Sequence, residues 1–253
     1  MEASNEHPVF KAVFDRYNEY YLLRRHFRAL SLRVGPLPDE LTGPVLFIVN
    51  HSSWWDGLLL RHAAKYVSGK PTRLMMDSVQ LDKYRFFSKL GAYPVDRSSR
   101  RGILAALDHT VSLLRQDGHV WLFPQGKITH QEERPLVFGG GAGYVLRACP
   151  QAAIVPVSIH YSMCGQKPEA SMWFGGAVRK NWDEWERKAI TDMLQGVLEA
   201  QLDRHKAIAV EAGEAGMADN EWFNSLFLRH SSTSEKFDNW REKLRQWKRY
   251  WDV

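Results

Sequence analysis

The chain has 253 residues, 44% hydrophobic and 25% charged, a composition that excludes disorder and supplies enough apolar material for a substantial core. Two cysteines, Cys149 and Cys164, stand in no metal-like or redox-like spacing, which argues against a disulfide framework and fits a reducing compartment. A net charge of +5 with ten Trp, nine Tyr and twelve Phe favours anionic partners, a bilayer interface among them, although a basic protein with a large aromatic core reads the same way.

The opening MEASNEHPVF has no basic stretch followed by an apolar one, so no secretory signal is expected. Residues 8–34 read as a helix, because Val9, Phe10, Val13, Phe14, Tyr17, Tyr20, Tyr21 and Phe27 recur at helical spacings among several arginines. Such a segment either lies in the headgroup plane of a membrane or packs on the domain. VGPLPDELTGP then forms a loop. Beyond it, short apolar runs at 45–49, 73–76, 92–95, 120–123, 153–161 and 171–175 predict strands. Helical periodicity occupies 57–68, 79–90, 100–116 and 140–148 between them. This alternation predicts an α/β fold with a mostly parallel central sheet flanked by helices, whose reactive residues gather beyond the carboxyl ends of the strands. Residues 181–206 predict a further helix and 209–220 a linker. The last segment, 234–252, carries Phe237, Trp240, Leu244, Trp247 and Trp251 as an aromatic helical stripe, suited to core packing or to a membrane. No apolar run approaches the roughly 20 residues of a membrane span, so membrane contact would be peripheral. The expected organisation is an amphipathic helical segment at 1–35, a catalytic-type domain at 36–208, and a linker with a helical segment at 209–253.

The stretch FIVNHSSWWDGLLL places His51 and Asp56 directly after the strand at 45–49. Inside one regular helix they would lie about 140° apart and could not touch. With His51 in a loop at the helix entrance, the aspartate reaches back to the imidazole, and Ser52 and Ser53 become N-cap candidates. An aspartate so placed fixes the tautomer of histidine and supports the imidazolium formed when it takes a proton. The spacing alone arises easily by chance.

Three further stretches sharpen it. GAYPVDR (91–97) ends a strand in Arg97, whose fork matches anionic oxygens. LFPQGKIT (122–129) turns sharply after a strand, with Gly126 permitting close backbone approach and Lys127 adding charge. IVPVSI (154–159) sets a proline inside an apolar run, marking a strand edge or a bulge. Each alone is also an ordinary surface arginine, turn or strand proline.

In this order and spacing, NHSSWWD, GAYPVDR, FPQG and IVPV resemble the four sequence blocks of the glycerolipid acyltransferase family typified by 1-acylglycerol-3-phosphate acyltransferase. The resemblance covers roughly residues 35 to 180. It implies an acyltransferase in which His51 is the general base for an acceptor hydroxyl and Asp56 orients and charge-balances it. The freed oxygen would attack an acyl thioester carried by coenzyme A or acyl carrier protein, without an acyl-enzyme, a metal or a resident cofactor. Arg97 would hold the phosphate of a lysophospholipid-like acceptor, and Phe123, Pro124, Gln125, Gly126 and Lys127 would shape its pocket. A peripheral position on the inner face of the cytoplasmic membrane of a bacterial cell goes with that chemistry.

Two departures bear on the acceptor rather than on the reaction: Gln125 stands where the family carries glutamate, and Ile128 where an arginine often follows. A non-phosphate acceptor such as an aminolipid, a glycolipid or a carotenoid glycoside is the alternative. A catalytically idle lipid-binding module and a thioesterase are the readings from other classes. Nucleic-acid binding ranks last, since the basic residues are dispersed without a recognition motif.

Overall fold

Val45–Val49 is buried along its whole length, as a strand covered on both faces must be. In the computed structural model, which describes residues 7–36, 41–163, 166–228, 237, 240–242 and 245, this strand lies near the middle of an eight-stranded sheet. The chain runs α1 (Pro8–Tyr17), a π-helical stretch (Asn18–Leu23), α2 (Arg24–His26), β1 (Ala29–Val34) and β2 (Val45–Val49). It continues through α3 (Asp56–Val67), β3 (Thr72–Asp77), α4 (Ser78–Lys83), a 3-10 helix (Arg85–Leu90), β4 (Ala92–Val95), α5 (Arg100–Arg115) and β5 (His119–Leu122). Then follow α6 (Gly141–Ala148), β6 (Ala153–Ser162), β7 (Glu169–Phe174), α7 (Arg187–Ala212) and β8 (Asn224–Leu228). The sheet order is β4-β3-β5-β2-β6-β7-β1-β8; β6 with β7 and β1 with β8 are antiparallel, and the other pairings are parallel. The α/β architecture expected from the alternation of strands and helices is therefore present.

Two layers cover the sheet. Phe47 and Val49 face the layer containing Leu58, Leu59 and Ala63 of α3. Leu46 and Ile48 face Leu107 and Val111 of α5 and Val145 and Leu146 of α6. The chain leaving β2 thus turns to one face, and the chain leaving the neighbouring β5 turns to the other. A sheet opens a crevice where successive connections diverge in this way.

The long N-terminal helix expected over 8–34 ends at His26, and residues 29–34 are a strand instead. Arginines that suggested a helix surface make strand contacts: Arg28 pairs with Glu169 of β7 at 2.8 Å, and the Arg33 guanidinium lies 4.1 Å from the Trp173 ring centre. The run Ala29, Leu30, Ser31, Leu32 is buried without a break, which a one-sided helix cannot satisfy. At the other end, α7 runs on to Ala212 through part of the expected linker, because Ala209 packs against Met217 and Phe223. Strand β8 then pairs with β1, so both terminal segments contribute to the sheet. Pro156 is at neither a sheet edge nor a bulge. It sits in the interior strand β6 just before the β7 pairing begins at Val157, so the ladder requires no donor from it. Most of the tryptophan stripe expected over 234–252 lies outside the described residues.

Among the described residues three imidazoles are buried within this framework. His62 on α3 and His119 on β5 are each pushed down to about 4, by burial first and then by the charge of Lys65 and Lys70 respectively. His205 on α7, between the hydroxyls of Ser158 at 2.9 Å and Ser171 at 2.8 Å, is pushed down to about 3, chiefly by burial. The unfolded chain takes these protons first, near the ordinary 6.5, so the stability is complete above that pH and is lost as pH falls toward 4. Each imidazole adds a slope of up to about 1.4 kcal/mol per pH unit in that window. The urea midpoint should therefore drop steeply between pH 6.5 and 4.5; a flat profile there would show that these rings are not held neutral by the fold.

Candidate active site

At the end of β2 the register with β6 runs to Val49↔Val157, after which the backbone of β2 departs. Asn50 takes over. Its Nδ2 donates to the Ile159 carbonyl at 3.0 Å, and its Oδ1 accepts from the Ile159 N–H at 2.7 Å. A carboxamide carries the same donor and acceptor as a peptide unit, so the side chain continues the ladder while the main chain turns away. That substitution frees residue 51 to leave the sheet plane.

The backbone of His51 is then held by the loop after β5. Its N–H donates to Gln125 Oε1 at 2.8 Å, and its carbonyl accepts from the Thr129 N–H at 2.9 Å. The Phe123 ring lies under the imidazole, 4.1 Å between centres and 18° from parallel. Gly126 closes the turn with an N–H to the Phe123 carbonyl at 3.0 Å and a φ of +68°, where glycine carries no steric penalty. Thus NHSSWWD and FPQG form one structural unit, brought together because β2 and β5 are neighbours.

Asp56 is the first residue of α3, and its side chain is 0% exposed, whereas that of His51 is 22% exposed. Asp56 Oδ2 accepts from His51 Nδ1 at 2.9 Å and from the N–H groups of Ser52 at 2.7 Å and Ser53 at 2.9 Å. Oδ1 accepts from the Tyr161 hydroxyl at 2.5 Å. Neither serine is the N-cap of α3, contrary to expectation; that position is Trp55, whose N–H donates to the Ser53 hydroxyl at 3.2 Å, while both serine amides go to Asp56. An oxygen already accepting two amide protons is an acceptor for the imidazole too, so Nδ1 carries the proton and Nε2 presents a lone pair. A buried anion at a helix N-terminus also faces the positive end of the helix dipole. The arrangement can accept a proton at Nε2 and spread the resulting charge into a carboxylate that water does not reach.

The other residues singled out are placed differently. Arg97 follows β4, exposed, without an ion-pair or hydrogen-bond partner among the described residues. Strands β4, β3, β5 and β2 run parallel, so Arg97 emerges on the same edge of the sheet as His51, three strand spacings or roughly 14 Å away. Pro124 is buried beneath the turn, its carbonyl accepting from Gly139 at 2.9 Å, and Lys127 is exposed. The Gln125 amide is engaged within the loop, since its Nε2 donates to Thr129 Oγ1 at 2.5 Å. A glutamate there could accept from His51 in the same way and take the Thr129 hydroxyl as a donor, so this departure reverses one hydrogen bond and leaves the brace in place.

Sequence reasoning noted Asn50 only as part of the NHSSWWD block, without a role, and missed Gln131 and Tyr161. Gln131 repeats the device of Asn50: Nε2 donates to the Tyr161 carbonyl and Oε1 accepts from the Tyr161 N–H, both at 3.1 Å. The available signal was the alternation in β6, which puts Tyr161 on the same face as Val157 and Ile159, at the strand end next to His51.

The structure therefore sets a carboxylate-held histidine on an α/β sheet, at the crevice between diverging connections. The model of the Acyltransferase family matches residues 28–160, more than half of the chain. The protein belongs to this family, the glycerolipid acyltransferases, and is an acyltransferase acting between an acyl donor and an acceptor.

The Asn50 brace makes a stability prediction. Asn50→Ala would strand a buried N–H and carbonyl of Ile159, a loss of about 2 kcal/mol. Urea denaturation of the variant measures it, and an unchanged midpoint would mean that the ladder does not depend on this side chain.

Proposed function

We propose that the protein transfers a fatty acyl group from a coenzyme A or acyl carrier protein thioester to a hydroxyl of a lysophospholipid-like acceptor, with His51 as general base. The carrying observation is the contact of His51 Nδ1 with the buried Asp56 carboxylate at 2.9 Å, which leaves Nε2 as the basic nitrogen of a partly exposed ring. In this reading Nε2 removes the acceptor proton as the oxygen attacks the thioester carbonyl. The tetrahedral adduct then expels the thiolate, which leaves as the thiol after taking a proton, and Asp56 balances the imidazolium meanwhile. Arg97 supports a phosphate-bearing acceptor, being an exposed guanidinium on the same edge of the sheet, without a partner among the described residues.

The reading is tested by mixing the protein with palmitoyl-CoA and 1-acylglycerol-3-phosphate and following the diacyl product. His51→Ala should abolish transfer, at least a thousand-fold by order of magnitude, while the Asp56 donors other than the ring keep the fold intact. Arg97→Ala should raise the acceptor KM roughly ten-fold or more with little change in kcat. Turnover retained in His51→Ala would remove this histidine from the reaction. An unchanged acceptor KM in Arg97→Ala would favour an acceptor without phosphate, and free fatty acid without acylated lipid would favour a thioesterase.

The proposal includes docking on a membrane surface. No helix among the described residues is long and apolar enough to cross a membrane. Supporting contact with a surface, Val9, Val13, Tyr17, Tyr20 and Tyr21 are exposed on the N-terminal helical segment, with Arg24 over the Tyr20 ring and Arg25 over the Tyr21 ring. This segment is tied to α3, whose first residue is Asp56, by Asn18 Nδ2 donating to the Leu58 carbonyl at 3.0 Å and by Glu19 with Lys65 at 2.8 Å. In vesicle flotation, binding should increase with the anionic lipid fraction and weaken as salt rises. Equal binding to neutral and anionic vesicles would refute the electrostatic part.

A further inference from the structure

Tyr161 lies one residue beyond the segment matched by the family, and its hydroxyl nevertheless meets the site's buried carboxylate. We infer that Tyr161 is a positioning residue: by holding Asp56 Oδ1 it fixes the plane of the carboxylate, keeps Oδ2 on His51 Nδ1, and so selects the imidazole tautomer whose Nε2 is free to act.

The two carboxylate oxygens are held from opposite sides. Oδ2 takes the imidazole and two amides of the loop that connects β2 to α3, all within five residues of Asp56. Oδ1 takes a hydroxyl 105 positions away in the sequence, on the strand beside β2. The local donors converge on one oxygen and leave the carboxyl free to rock about its bond to Cβ; the hydroxyl on the other oxygen opposes that rotation. The rocking matters because a rotation that carries Oδ2 off its donors would lengthen the imidazole contact along with the two amide contacts.

Tyr161 is itself held firmly enough for this. Its N–H and carbonyl are both taken by Gln131 at 3.1 Å, its ring centre lies 6.2 Å from that of Phe27, and the Ser53 side chain also reaches the phenol oxygen. Burial, followed by the charge of Asp56 and the hydrogen bond to it, pushes the phenol well above its ordinary range, so the group stays a donor. A residue needed for packing alone would be served by phenylalanine on this apolar face of β6. A hydroxyl brought to a fully buried carboxylate does more, because each acceptor of a desolvated anion requires a donor.

The test reads the tautomer directly and depends on the acyl-transfer reading only in its kinetic arm. In protein carrying ¹⁵N-labelled histidine, the His51 ring signals among the ten histidines are identified by their loss in His51→Ala. The wild-type ring should be predominantly protonated at Nδ1. In folded Tyr161→Phe it should become a mixture of the two tautomers. With palmitoyl-CoA and 1-acylglycerol-3-phosphate as probes, kcat should fall roughly ten- to a hundred-fold while both KM values hold, the loss expected for one charge-assisted hydrogen bond. A wild-type tautomer pattern in folded Tyr161→Phe would overturn the inference and leave Tyr161 as packing. Should Tyr161→Phe not fold, 3-fluorotyrosine at position 161 keeps the shape with a more acidic hydroxyl. The His51 Nδ1 proton resonance should then shift, and an unmoved resonance would overturn the inference equally. If the wild-type protein transfers nothing to this acceptor, the acceptor assignment fails, and the tautomer result still decides the role of Tyr161.

Discussion

A carboxylate with no access to water has to be matched by donors from the protein, and in this fold that carboxylate is Asp56. Its neighbours are arranged by that demand. The loop at 51–55 curls tightly enough to aim two amides back at the first residue of α3, and the helix starts at the charge instead of at a serine cap. Strand β6 has to run as far as Tyr161 to deliver a hydroxyl to the second oxygen. The histidine is then the partner that can gain a proton, and its ring is partly exposed. One set of hydrogen bonds thus buries the charge of Asp56 and leaves the His51 ring partly open.

The second constraint is how a sheet can end without leaving its ladder unpaired. Where β2 departs from β6, carboxamide side chains stand in for the missing peptide units, Asn50 at Ile159 and Gln131 at Tyr161. Each offers a donor and an acceptor at the spacing of the main chain, a match that neither a carboxylate nor a hydroxyl reproduces. The main chain released by Asn50 is taken up again by Gln125 and Thr129 from the connection after β5. Connections diverging to opposite faces are thereby stitched together across the crevice they create.

Much of this was legible in the sequence, for identifiable reasons. Strands such as Val45–Val49 in the middle of the sheet and Ala92–Val95 at its edge are short apolar runs with clear boundaries, and both lie where the residues predict. The contact of His51 with Asp56 follows from placing one in a loop and the other at a helix entrance, which is local information. What remained hidden depended on partners far apart in the chain. Asn50 and Ile159 are separated by 109 positions, and nothing within either neighbourhood announces the other. The strand at 29–34 was concealed because arginines pairing across the sheet, such as Arg28 with Glu169, copy the charge pattern of a helix surface. Burial of four successive residues told against a helix there, and burial is a property of the neighbours.

The FPQG turn shows how a departure from a family pattern is weighed by geometry. Read as a sequence, glutamine in place of glutamate removes a charge from a pocket thought to meet the acceptor. In the fold, that side chain faces inward, receiving the His51 N–H and reaching Thr129, so the position acts on the backbone of the histidine. Either residue can make both contacts, because the threonine hydroxyl donates or accepts as needed. The charge differs, however: a carboxylate beside the His51 amide would add a second anion near Asp56, and glutamine leaves Asp56 as the sole anion among the residues that hold the ring. The substitution therefore alters the field at the imidazole more than the shape of the site.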